Sequence, residues 1–218
     1  MIWDALFQTL SSLTVRQVAI GLAAVSVLLV VVEERRLALL PLLVQYVLLG
    51  SLVAAAVFSY IMLVRVAVGL AICMMLYVSA GHVERELARQ AARGARHTLG
   101  ITPDIGALFR LLTCAVAGLA AYALWRTYPI PELSSELSLA SYWLMAVGAL
   151  MALTSSDPLR VGYGVLTILN GFSCFYIFLE RSLLVIGLIG FIDITAALAV
   201  VVITEAWLAA IEIRKATP

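Results

Sequence analysis

The chain has 218 residues, 64% hydrophobic and 12% charged, with a formal net charge of +1 and a mean hydropathy of +1.09. Ordinary soluble domains are about 45–50% apolar and about 25% charged, so the composition points to a polytopic membrane protein. The near-zero charge gives no reason to expect nucleic acid as a partner, and no connecting segment is long enough to build a second core, which leaves one integral membrane domain over 1–218.

Residues 1–14 place Trp3, Leu6, Phe7 and Leu10 on one side of a helix and Asp4, Gln8 and Ser11 elsewhere, the pattern of an interfacial segment. The first basic residue is Arg16, so no signal-peptide n-region precedes the first apolar run, which is expected to stay attached. That run, 15–32, ends at the charged turn Glu33-Glu34-Arg35-Arg36, and a second run, 37–57, carries Pro41 in its first turns. A third run, 61–80, holds Arg65.

Residues 81–103 are the one long polar stretch, with Glu84, Arg85, Arg89, Arg93 and Arg96. They read as a surface helix on the membrane face, closed by Gly100 and Pro103, serving either as a solvated connector or as a docking surface for a partner or anionic lipid. The fourth run is 105–125, followed by Arg126, Tyr128, Pro129, Pro131 and a mildly acidic loop with Glu132 and Glu136. The fifth, 139–153, breaks at Thr154-Ser-Ser-Asp-Pro158; the sixth is 159–179; after Glu180-Arg181-Ser182 the seventh runs over 183–209 into a polar tail. The expected fold is therefore an all-α transmembrane bundle of about seven spans.

Alternate connections differ in charge. One side collects Arg35, Arg36, the loop arginines, Arg110, Arg160, Arg214 and Lys215, the other Arg16, Arg126 and Arg181. By the positive-inside rule the first side is cytoplasmic, the N-terminus outside and the C-terminus cytoplasmic, with Trp125, Tyr128, Tyr142 and Trp143 as an outer aromatic belt. Spans one to three and five to seven share a plan: helix, polar turn, helix with one amide (Gln45; Asn170), short turn, helix with one ionisable residue (Arg65; Asp193). The fourth span lets the two copies run parallel.

Asp193 sits near the middle of its apolar run, where a charge costs about 2.5–3.5 kcal/mol on insertion scales. Either it is paired or protonated within the bundle, or it handles an ion. Arg65 either snorkels to the outer interface or stands as a fixed charge able to meet Asp193 where spans three and seven pack at one depth. Asn170 and Gln45 suit interhelical hydrogen bonding; Glu205 lines a channel mouth or reaches water; Asp157 and Arg160 anchor their turn. Gly162, Gly164, Gly187 and Gly190 suit close helix packing. Cys73, Cys114 and Cys174 read as packing residues, and His82 and His97 as solvated. No cofactor motif, metal-ligand spacing or catalytic constellation is visible, so the chain is not expected to be an enzyme by itself.

Four stretches resemble hydrogenase-4 component E, a seven-span subunit whose C-terminal half is similar to the complex I K subunit and the Mrp antiporter C subunit. They are Arg36-Leu37 with Gln45; Arg65-Val66; Asp157-Pro-Leu-Arg160 with Gly164 and Asn170-Gly171; and Phe191-Ile-Asp193-Ile-Thr-Ala-Ala-Leu-Ala. The resemblance covers roughly residues 16–210. It implies a non-redox subunit of a bacterial or archaeal cytoplasmic-membrane complex, partnered by other membrane subunits and by the bilayer. There it would contribute to proton or cation translocation or scaffold the antiporter-like subunit; the alternative is a structural transmembrane subunit without an ion path. Two departures stand out. The family's sixth-span glutamate is absent, with Leu166 and Leu169 there, and its lysine is Arg65, a group that stays protonated at working pH.

Overall fold

The apolar runs fold as helices, as segments without partners for their backbone amides in lipid must. A computed structural model describes residues 14–56, 59–92, 106–130, 133–179 and 182–216, and among these the fold is all-α, without strands. In chain order the helices are α1 (Val15–Val31), α2 (Leu39–Ala56), α3 (Ser59–Ala92), α4 (Ala107–Thr127), α5 (Ser135–Thr154), α6 (Pro158–Leu179) and α7 (Leu183–Ala216). By length and composition three are apolar enough to cross a membrane: α3 over Met62–Glu86, α5 over Ser135–Thr154 and α7 over Leu184–Ile211. Val15–Val31 and Leu39–Leu52 are shorter apolar helices.

Helix boundaries correct the sequence reading in three places. The third helix does not stop near residue 80: it continues through Gly81 to Ala92, because Val83 to Ala92 are mostly good helix formers with no proline among them. Gly81 has a role within it, since a β-carbon there would lie 3.1 Å from Arg36 Nη2. The fifth helix starts at Ser135 rather than 139, behind the N-cap position Ser134 and with Glu136 in its first turn. Polar first turns suit helix N-termini, so onset of hydrophobicity marks the border of the apolar zone and not of the helix. The seventh extends to Ala216, past the expected end at 209. The interfacial segment 1–13, Arg93, Arg96, His97, Gly100, Pro103, Pro131, Glu132, Glu180 and Arg181 lie outside the described residues.

Contacts between helices define two layers. In one, α1 packs on α2 and α2 on α3; in the other, α5 packs on α6 and α6 on α7. The layers meet pairwise, α1 on α5, α2 on α6 and α3 on α7, while α4 closes one side against α1 and α5. Each contact across the layers thus joins helices that hold the same place in the two halves of the chain.

Polar contacts fix the direction of these pairs. Arg35 Nε lies 2.7 Å from Asp157 Oδ2, and Arg160 Nη2 donates to the Val32 and Glu33 carbonyls at 3.1 and 3.0 Å. The α1–α2 and α5–α6 turns therefore share one end of the bundle. Arg110 at the start of α4 reaches Glu33 at 2.9 Å, Arg36 reaches Glu84 of α3 at 2.8 Å, and His82 of α3 meets Glu205 of α7 at 3.1 Å. Paired helices hence run parallel, and arginines gather at one end. The 34-residue helices α3 and α7 are each about 51 Å long, well beyond a hydrocarbon core of about 30 Å, and both have their C-termini at that end.

The tightest seam is between α5 and α6. A β-carbon on Gly148 would lie 2.6 Å from the Gly164 carbonyl oxygen, one on Gly164 2.7 Å from the Gly148 oxygen, and one on Gly171 2.9 Å from the Ser141 oxygen. Backbones touch there directly, as small residues permit in membrane helices. Gly162 faces Val200, and Gly190 approaches Val68, as close packing requires. Gly187 has nothing within 4 Å, so the packing role expected of it is not met.

Candidate functional site

Arg65, Asp193, Asn170 and Gln45 converge where α2, α3, α6 and α7 meet. Arg65 Nη1 lies 3.0 Å from Asp193 Oδ2, Arg65 Nη2 donates to Asn170 Oδ1 at 3.2 Å, and Asn170 Nδ2 reaches Gln45 Oε1 at 3.5 Å. All are sealed: Arg65 is 2% exposed and the other three 0%. Arg65 therefore does not snorkel, and the reason is packing. Its guanidinium sits 5.3 Å from the centre of the Tyr46 ring, which shields it from the surface and adds a cation–π contact.

Parallel helices bring the two residues to neighbouring levels. Asp193 lies about 15 Å along α7 from Leu183, and Arg65 about 9 Å along α3 from Ser59. The long arginine side chain spans the remaining offset. Gly69 helps: a β-carbon there would lie 2.5 Å from Tyr46 Cβ, so α3 can approach α2 one turn below Arg65 only without a side chain. Asp193 is thus paired with Arg65 inside the bundle.

The cluster is underfilled in hydrogen bonds. Gln45 Nε2, the Tyr46 hydroxyl, Arg65 Nε and both Asp193 oxygens are buried without a well-aligned partner. Buried polar groups left so cost about 1–3 kcal/mol each, so a site that keeps several calls for a reason beyond packing, such as a bound water or a functional charge. Leu166 belongs to the apolar core beside the cluster, and Leu169 packs against that core.

Glu205 stands apart from this cluster, half-exposed at the arginine-rich end, with His82 Nδ1 3.1 Å from each of its oxygens. His82 is thus bonded to α7 rather than only solvated, a pairing hidden because 123 residues separate the two. Asp157 and Arg160 do anchor their turn: Asp157 Oδ1 accepts from the Leu159 amide at 3.2 Å while its other oxygen binds Arg35. The Arg35–Asp157 pair keeps 24% and 16% side-chain exposure. A double-mutant cycle between Arg35→Ala and Asp157→Ala, read by thermal unfolding in detergent, is expected to give a coupling of about 1 kcal/mol, as ion pairs that keep some contact with water do.

Trp143 leaves the expected aromatic belt. Its indole Nε1 donates to Ser26 Oγ at 2.6 Å, and its ring covers Gly118, so it joins α5 to α1 and α4 within the bundle. Tyr142 behaves as a surface aromatic, donating to the Tyr128 carbonyl at 2.9 Å. The cysteines are free and buried, as packing residues are. Among the described residues no group of three or more His, Cys, Asp and Glu side chains is placed to hold a metal. The chain matches no protein-family model, no curated protein and no solved structure.

Proposed function

We propose that this chain is a non-redox, multi-pass subunit of an energy-converting membrane assembly of the complex I, Mrp and group 4 hydrogenase type, and that Asp193 is a protonation site serving proton or cation translocation there. One observation carries the reading: a carboxylate and a guanidinium sealed between the two halves of the chain, with both carboxylate oxygens short of aligned donors. Apolar packing of similar volume stabilises a buried site at least as well as an ion pair, so a costly buried pair is more naturally kept for its charge chemistry. Arg65 holds its proton, leaving Asp193 as the member of the pair that titrates.

All seven helices cross the bilayer in this reading. The arginine-rich end faces the cytoplasm of a bacterial or archaeal cell, the N-terminus lies outside, and neighbouring membrane subunits cover part of the lipid-facing surface.

The test is proton or sodium pumping by the intact assembly in vesicles. Asp193→Asn, assembled with normal composition, is expected to lose most of the pumping. Unchanged pumping would replace this reading with a scaffold, which the bonds of Arg65 to Asn170 and its seat on the Tyr46 ring favour as the second reading. A charge-swapped pair, Arg65→Asp with Asp193→Arg, separates the two: a scaffold recovers, a protonation site does not.

A further inference from the structure

Arg65 occupies a seat built by α2 and α3 together. The two helices meet in a reciprocal contact: Gly69, one turn after Arg65 on α3, faces Tyr46, and Gly50, one turn after Tyr46 on α2, faces Arg65. A β-carbon on Gly69 would lie 2.5 Å from Tyr46 Cβ and 2.6 Å from its Cγ, and one on Gly50 would lie 3.6 Å from Arg65 Cβ. Glycine at both places lets the backbones approach. The Tyr46 ring is thereby lodged against α3, with the Arg65 guanidinium carbon 5.3 Å from its centre.

Two contacts hold this guanidinium without any help from Asp193. Nη2 donates to Asn170 Oδ1 at 3.2 Å, and the ring attracts the cation, the more strongly because Tyr46 is fully buried and water is excluded. The Tyr46 hydroxyl has no hydrogen-bond partner, so the ring and not the hydroxyl makes the contact. An aliphatic side chain would fill the space without that attraction. Arg65 stands six residues after Ser59, the start of α3, where an unheld arginine would turn back toward the interface. Among the described residues, Arg65 and Asp193 are the two charged side chains that are fully buried, so no other sealed charge competes for either. The nearby Cys73 thiol and Tyr163 hydroxyl are bonded to the Leu39 and Arg35 carbonyls instead.

We infer that Tyr46 is a positioning residue whose ring, lodged on Gly69, keeps Arg65 stationary while Asp193 gains and loses its proton. The inference deepens the reading of Asp193 as a protonation site and rests on it. One O–H bond forms or breaks on the carboxylate, the proton coming from and returning to water. Arg65 keeps all of its own protons, its bond to Asn170 and its place over the ring. Asp193 therefore recharges each time against the same counter-charge, whereas an arginine free to swing would leave with the negative charge gone.

The experiment is solid-state NMR of the isotope-labelled full chain in lipid bilayers, reading cross-peaks from the Arg65 guanidinium nitrogens to the side-chain carbonyl carbons of Asp193 and Asn170. The Arg35–Asp157 pair, 2.7 Å apart, supplies a control for the fold in the same spectrum. Asp193→Asn, which imitates the neutral acid, is expected to keep the Arg65–Asn170 cross-peak; its loss would mean that Arg65 moves with the charge and would overturn the inference. Tyr46→Phe should leave the Arg65–Asp193 cross-peak intact, and Tyr46→Leu should weaken it while the control stays. A cross-peak undiminished in Tyr46→Leu, or lost in Tyr46→Phe, would overturn the role of the ring. Should Tyr46→Leu fail to fold, Asp193→Asn and Tyr46→Phe still decide. Failure of the protonation reading shows elsewhere, as unchanged pumping in Asp193→Asn.

Discussion

Arg65→Leu is expected to destabilise the bundle by about 3–5 kcal/mol, the usual cost of stranding one member of a buried ion pair. Asp193 is fully buried, and its nearest cation is the guanidinium 3.0 Å away. Removing that cation leaves a buried carboxylate without a counter-charge. The reverse change, Asp193→Leu, should cost less, because Arg65 keeps Asn170 Oδ1 at 3.2 Å and the Tyr46 ring. The double replacement Arg65→Met with Asp193→Leu should recover most of the loss, since the desolvation of both charges disappears with the charges. Thermal unfolding in detergent measures all three. If Arg65→Leu proves as mild as the double replacement, the carboxylate is already neutral in the folded chain and the pair is not an ion pair.

Much of this site was legible in the sequence because polar residues are scarce in it. With one amide and one ionisable residue at matching places of each half, Gln45, Arg65, Asn170 and Asp193 had few other partners. Matching helices of the two halves pack against each other, and that packing, which the repeat alone does not state, brings the four together. What the sequence withheld was geometry between distant helices. Whether Arg65 turns outward or inward depends on Tyr46 and Gly69, whose contacts belong to the fold and not to any local pattern. The His82–Glu205 contact and the Trp143–Ser26 bond were hidden for the same reason. Helix ends were misplaced because hydropathy reports where water begins, while a helix continues into water as long as its residues favour it.

The α5–α6 seam adds a second constraint on the same site. Gly148→Val is expected to be the most damaging single change in the second layer, with a loss above about 3 kcal/mol or no recoverable folded protein. Its first new carbon would stand 2.6 Å from the Gly164 carbonyl oxygen and 2.8 Å from the Ile168 amide nitrogen, and neither backbone atom can rotate away. The helices must separate instead. Gly171 lies on the same seam, against the Ser141 carbonyl, and its neighbour Asn170 holds both Gln45 and Arg65. Separation of α5 from α6 therefore shifts the amide that orders the ion pair, so damage at Gly148 reaches the site through packing alone. Gly187→Val is the control: with open space around it, that change should leave yield and melting temperature unaltered. Equal damage from both would trace the effect to the cost of a β-branched residue in a helix; damage confined to Gly148→Val ties the geometry of Asn170, and with it Arg65 and Asp193, to direct backbone contact across the seam.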